Sequence, residues 1–119
     1  MFEVEVTAQL KFTHYLEGFD KEISTPHEHI WFVTVTAATA SLDRRGISID
    51  FLGFRDTLTE VLAPCQDKLL NDLAPFDKNP PTAENIARMV AGKMSSSYPD
   101  LVKTVTVGSA QERARYILP

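Results

Sequence analysis

A single cysteine, Cys65, occurs among the 119 residues. That excludes an intrachain disulfide framework and fits a reducing compartment. No run of about 18 apolar residues is uninterrupted, so no segment reads as a membrane span. Basic residues are few: 12 Lys and Arg stand against 16 Asp and Glu, a formal net charge of -4. A nucleic-acid groove or an anionic membrane surface calls for the opposite balance, so neither is expected as the main partner. The opening residues Met1-Phe2-Glu3-Val4-Glu5 lack the basic start and apolar stretch of a secretory signal. Internal repeats and low-complexity tracts are absent. What is present, 44% apolar and 24% charged residues, is the balance of a soluble globular chain. The expectation is one domain over residues 1–119, located in the cytoplasm.

Residues Phe2 to Phe12 alternate without interruption: Phe2, Val4, Val6, Ala8, Leu10 and Phe12 take one parity and polar residues the other. A period of two over this length predicts a strand with one face buried and one wet. Residues 13 to 26 read as a loop, and His27 to Thr39 as a second strand rich in β-branched and aromatic residues. Asp43 to Gly46 reads as a turn and Ile47 to Asp50 as a short extended piece. Phe51, Phe54, Leu58, Val61, Leu62 and Cys65 then fall at helical spacing, predicting a helix over about 51 to 66. Thr82 is placed to cap a second helix whose inner face is Ile86, Met89, Val90 and Met94. Two strands, about Val102 to Val107 and Arg113 to Leu118, close the chain. The order β-β-α-α-β-β predicts an α+β sandwich, a four-stranded antiparallel sheet with both helices on one face. So small a sheet has two exposed edges, so a homo-oligomer with edges paired between subunits is expected.

All three histidines, His14, His27 and His29, sit close together. His27 and His29 are two apart at the start of a strand, so their side chains share a face. His14 is expected just past the end of the first strand, brought beside them by the connection. Three imidazoles with a fourth position left open are the ligand set of a catalytic zinc. The same spacing also fits surface histidines without a metal, and spacing alone does not choose.

Several motifs, in order, resemble the 6-pyruvoyltetrahydropterin synthase / 6-carboxytetrahydropterin synthase family. They are Phe12-Thr13-His14, His27-Glu28-His29, Gly46-Ile47-Ser48-Ile49-Asp50-Phe51, Leu69-Leu70-Asn71-Asp72, Pro81-Thr82-Ala83-Glu84-Asn85-Ile86-Ala87, and Tyr116. The resemblance implies the T-fold, whose subunits associate edge to edge into a barrel as a trimer or hexamer. It implies Zn2+ as cofactor, held by His14, His27 and His29, and a small-molecule substrate.

The departures are equally specific. The family's catalytic cysteine falls on Ile23, its Asp-His pair on Gln66-Asp67, and its pterin-anchoring glutamate on Gly108. Gln111 or Glu112 stands in for that glutamate only if the loop is shifted. Cys65 lies on the apolar side of a helix and reads as core. Asp67 is a candidate general acid or base if buried near the metal pocket, and otherwise a solvated helix-end aspartate. Glu84 is a second candidate, its alternative being charge complementarity at a helix N-terminus. Thr82 and Glu112 are the substrate-contact candidates, Thr82 besides its role as a cap. The implied function is a zinc-dependent lyase or synthase turned to a non-pterin carbonyl or aldehyde substrate in a biosynthetic pathway. Enolisation, carbon–carbon cleavage and amine–aldehyde condensation all fit. The alternatives are retained pterin chemistry with substituted acid–base groups, and a non-catalytic scaffold or binding protein.

Overall fold

A computed structural model describes residues 1–119. Strand β1 spans Phe2–His14, a single-turn helix α1 Lys21–Ser24, and strand β2 His27–Thr39. Helices α2 (Phe51–Leu62) and α3 (Ala83–Ser97) follow, then strands β3 (Val102–Gly108) and β4 (Arg113–Ile117). The strands form one antiparallel sheet in the order β1-β2-β3-β4. The expected α+β order is present, with α1 added inside a segment read as loop.

The alternation of β1 translates directly into burial. Val6, Leu10 and Phe12 are buried while Glu5, Gln9 and Lys11 are exposed. The register Val6↔Val35↔Val105 and Ala8↔Val33↔Val107 aligns the inward residues of three strands into one apolar face. Helix α2 lays Phe54, Leu58 and Leu62 on that face and α3 lays Ile86, Val90 and Met94, all six with no exposed surface. Truncating any of these leucines would cost roughly 2–5 kcal/mol through lost burial and the cavity left behind. Both helices start as their sequences dictate. The Asp50 carboxylate accepts from Leu52 N–H at 3.2 Å, and Thr82 Oγ1 accepts from Asn85 N–H at 3.1 Å.

Two expectations fail locally. Ile47 to Asp50 forms bends, not an extended piece. The Asp43 carboxylate accepts from both Arg45 N–H and Ile47 N–H and curls the chain instead. Phe51, expected on the inner face of α2, is the first helical residue and is 63% exposed. Helix α2 also stops at Leu62. Pro64 tightens the next three residues into a 3-10 turn that carries buried Cys65.

The outer edge of β1 is covered from Gln9 to Thr13. Gln66 accepts from Lys11 N–H at 3.0 Å and donates to Gln9 O at 2.8 Å. Asp67 N–H donates to Lys11 O, Thr13 N–H donates to Lys68 O, and Asn71 bonds both backbone groups of Tyr15. This strap fixes the end of β1 where the histidines lie. No helix is long and apolar enough to cross a membrane.

Candidate metal centre

His14 is not beyond the strand, as its sequence position suggested, but is the last residue of β1, directly opposite His27 in the ladder. Phe12 stands opposite His29. Directly opposed residues of antiparallel strands share a face, with Cβ atoms about 5 Å apart. Strand register, not the length of the connection, therefore assembles the triad on the helix-covered face. The ring centroids are 4.6, 5.0 and 4.9 Å apart, a near-equilateral triangle. Each ring offers one nitrogen, and these nitrogens lie within 4.8 Å of one another. Phe12 floors the triad, edge-on to His14 at 5.0 Å, and Trp31 stacks on His29 at 4.6 Å and 28°. Trp31 was not singled out from the sequence. The alternation His27, His29, Trp31 carried the signal.

Two backbone carbonyls orient the imidazoles. His14 Nδ1 donates to Pro81 O at 2.8 Å, and His27 Nδ1 donates to Thr25 O at 2.8 Å. A carbonyl only accepts, so in both rings Nδ1 carries a proton, and Nε2 is the nitrogen free to face a metal. Burial holds the His14 pKa down to about 4 against the raising effect of the Pro81 bond, with His27 and His29 adding a smaller depression. Burial, then His27, lowers the pKa of His29 as well. Imidazoles oriented through Nδ1 by backbone carbonyls, as those of His14 and His27 are, with His29 completing the cluster, make a donor set that suits Zn2+, so the residues fit the group.

The acidic candidates separate in space. Glu84, in the first turn of α3, and Glu112, in the β3–β4 turn, line one cavity of about 430 Å³ together with His29, Trp31 and Arg113. Thr82 lies on a neighbouring cavity of about 330 Å³ with Tyr15, Asn71 and Lys78. Asp67 is elsewhere. Its side chain is 72% exposed and lies 3.8 Å from Lys11 Nζ, on the opposite side of β1 from Phe12 and His14. The chain thus puts Glu84 and Glu112 on one cavity with His29 and leaves Asp67 solvated at the strand edge. Cys65 is buried and its thiol pKa is pushed up by that burial, which keeps it from acting as a thiolate.

Gly108 has no room for a side chain. Its φ is +150°, and a Cβ there would lie 2.3 Å from Glu112 O and 2.6 Å from Arg113 Cα. The turn is closed tightly by Ser109 N–H to Glu112 O at 2.8 Å, so position 108 holds no side chain.

A family profile described as 6-pyruvoyl tetrahydropterin synthase matches residues 3–116. The chain belongs to the 6-pyruvoyl tetrahydropterin synthase family. Solved structures agree on the fold. The Caenorhabditis elegans 6-pyruvoyl tetrahydropterin synthase superposes with a TM-score of 0.85 at 19% identity, over 99% of this chain and 96% of that one. An uncharacterised protein from Wolinella succinogenes gives 0.74 at 14% identity, covering 100% of both chains. A Plasmodium vivax 6-pyruvoyltetrahydropterin synthase in which a catalytic glutamate is replaced by alanine gives 0.64 at 14%, over 98% of both. No curated protein matches the sequence.

Proposed function

We propose that this family member is a zinc-dependent lyase or synthase acting on a small-molecule carbonyl or aldehyde substrate in a biosynthetic pathway. The observation that carries the reading is the single cavity shared by His29 of the triad and the carboxylates of Glu84 and Glu112. Zinc held by His14, His27 and His29 would supply Lewis acidity toward a substrate carbonyl or hydroxyl oxygen. Glu84 removes or returns the proton at the neighbouring carbon or nitrogen, the step that enolisation, carbon–carbon cleavage and amine condensation share. Glu112 accepts hydrogen bonds from substrate N–H groups, and Trp31 offers an apolar wall. Thr82, on the adjoining cavity, caps α3 and contacts a longer substrate. Glu84 takes the acid–base role ahead of Asp67, which faces solvent on the far side of β1.

A substrate other than the family's usual one is supported by Gly108, which has no room for an anchoring carboxylate, and by Ile23 in place of the catalytic cysteine. Retained pterin chemistry is the second reading. It is favoured by Glu112, a carboxylate in the cavity able to accept from ring N–H groups. We also propose a trimeric or hexameric assembly through the uncovered strand edges, to be checked by light scattering.

The deciding assay is turnover of dihydroneopterin triphosphate by zinc-loaded protein, with products identified by mass spectrometry. Pterin products would establish the second reading. Their absence with about one zinc per chain supports the first and directs the screen to small aldehydes and amines. On whichever substrate turns over, Glu84→Gln is expected to lower kcat about 10²–10⁴-fold with zinc content unchanged. Unchanged turnover would remove Glu84 from the reaction.

A further inference from the structure

We infer that Asn85 is a positioning residue for the metal centre, acting on His14 through the Pro80-Pro81 turn. The inference rests on the reading of the three histidines as a metal centre and adds a part that touches neither ligand nor substrate. Asn85 Nδ2 donates to Pro80 O at 2.9 Å, and a carbonyl partner admits only the amide nitrogen there. The same oxygen accepts from Thr82 N–H at 2.8 Å. A bond from residue i to i+2 closes a γ-turn, here centred on Pro81, whose ring already holds φ near the value this turn needs. The turn sets the direction of the next carbonyl, that of Pro81, and that carbonyl receives His14 Nδ1–H at 2.8 Å.

Each link is short and directional, and Pro81 and His14 are both buried, so water is poorly placed to replace the bond. Asn85 itself is anchored at the helix start by its N–H bond to Thr82 Oγ1. One side chain thereby couples the rigid first turn of α3 to the tautomer and aim of an imidazole on β1. Thr25 O does the same for His27 without side-chain support, so His14 is the ligand whose orientation depends on a substitutable residue.

The test uses Asn85→Asp. The carboxylate cannot donate to Pro80 O, while an acid at this helix position is favourable to the helix dipole and can accept from Thr82 N–H as a capping box does. Zinc affinity is measured with the metal alone against a chromophoric chelator. In the zinc-free protein, ¹⁵N NMR reads which His14 nitrogen carries the proton. The expected result is a Kd for zinc raised about tenfold or more, with His14 losing its uniform Nδ1–H form. Asp50→Ala, which removes the cap of α2 far from the histidines, controls for lowered stability and is expected to bind zinc as the parent does. Asn85→Ser guards against misfolding of the aspartate variant and should weaken zinc in the same direction.

Parent-like zinc affinity and parent-like His14 tautomer in both Asn85 variants would overturn the proposal. So would an equal loss of affinity in Asp50→Ala. If the parent protein itself binds no zinc, the metal reading of the triad fails, and the tautomer comparison still decides the role of Asn85.

Discussion

Acidifying the zinc-free protein is expected to destabilise it in a defined window, and the magnitude follows from His14. In the folded chain its pKa lies at about 4, against the ordinary value of 6.5 that holds in the unfolded chain. Above pH 6.5 the ring is neutral in both states and contributes nothing. As pH falls below 6.5 the unfolded chain takes up a proton that the folded chain refuses, so stability is lost on acidification. At 1.36 kcal/mol per pKa unit the loss grows to about 2 kcal/mol at pH 5 and about 3 kcal/mol at pH 4. Below that the contribution is flat. His29 shifts in the same direction and steepens the fall. Asp43, held below its usual value first by the Ile47 N–H, acts only in a more acidic range. Urea unfolding between pH 7.5 and 4 measures the curve, with His14→Asn as reference. Asparagine Nδ2 can keep the bond to Pro81 O but does not titrate. The parent should lose about 2 kcal/mol more than His14→Asn on going from pH 7 to pH 5. Parallel curves would refute the claim that the fold holds His14 neutral.

Two further outcomes follow from the same geometry. Free zinc at about a hundredfold above its Kd should stabilise the protein by about 2.7 kcal/mol, read as a rise in Tm of roughly 10 °C. His27→Ala should abolish that rise, and a rise that survives the substitution would place the metal elsewhere. Gly108→Ala should cost about 3 kcal/mol or more in urea unfolding, since φ of +150° and a Cβ contact of 2.3 Å both act against it. A variant within about 0.5 kcal/mol of the parent would show that the β3–β4 turn can open.

Local chemistry was legible where one short stretch of sequence decides the outcome. The parity of Val4 to Phe12, the Thr82 cap and the spacing of Phe54, Leu58 and Leu62 each act within a few residues, and each appears in the fold as read, while Phe2, read on the inward parity, is exposed. Side-chain competition was harder to see. Asp43 captures two backbone N–H groups and turns Ile47 to Asp50 away from an extended path. Ladder register was invisible in β1 alone, because the position of His14 depends on which residue of β2 stands opposite. Asp67 and Glu84 look alike in sequence as carboxylates near helix ends. Only the fold reveals that Asp67 pairs with Lys11 at the edge of β1 while Glu84 lines a cavity with His29.

Two positions are committed to the frame of the fold. Gln66 uses both ends of its amide to hold the Gln9 and Lys11 backbone at the edge of β1. An aspartate there has no N–H to give Gln9 O. Gly108 lies in a turn too tight for a Cβ. Replacing Gln66 by Asp or Gly108 by Glu would therefore loosen the frame. The histidines depend on neither position. Their placement follows from the β1–β2 register and from the carbonyls of Thr25 and Pro81. The histidine cluster and the cavity beside it are therefore built by different elements. Two adjacent strands set the first, and the start of α3 with the β3–β4 turn sets the second, lined here by Glu84 and Glu112.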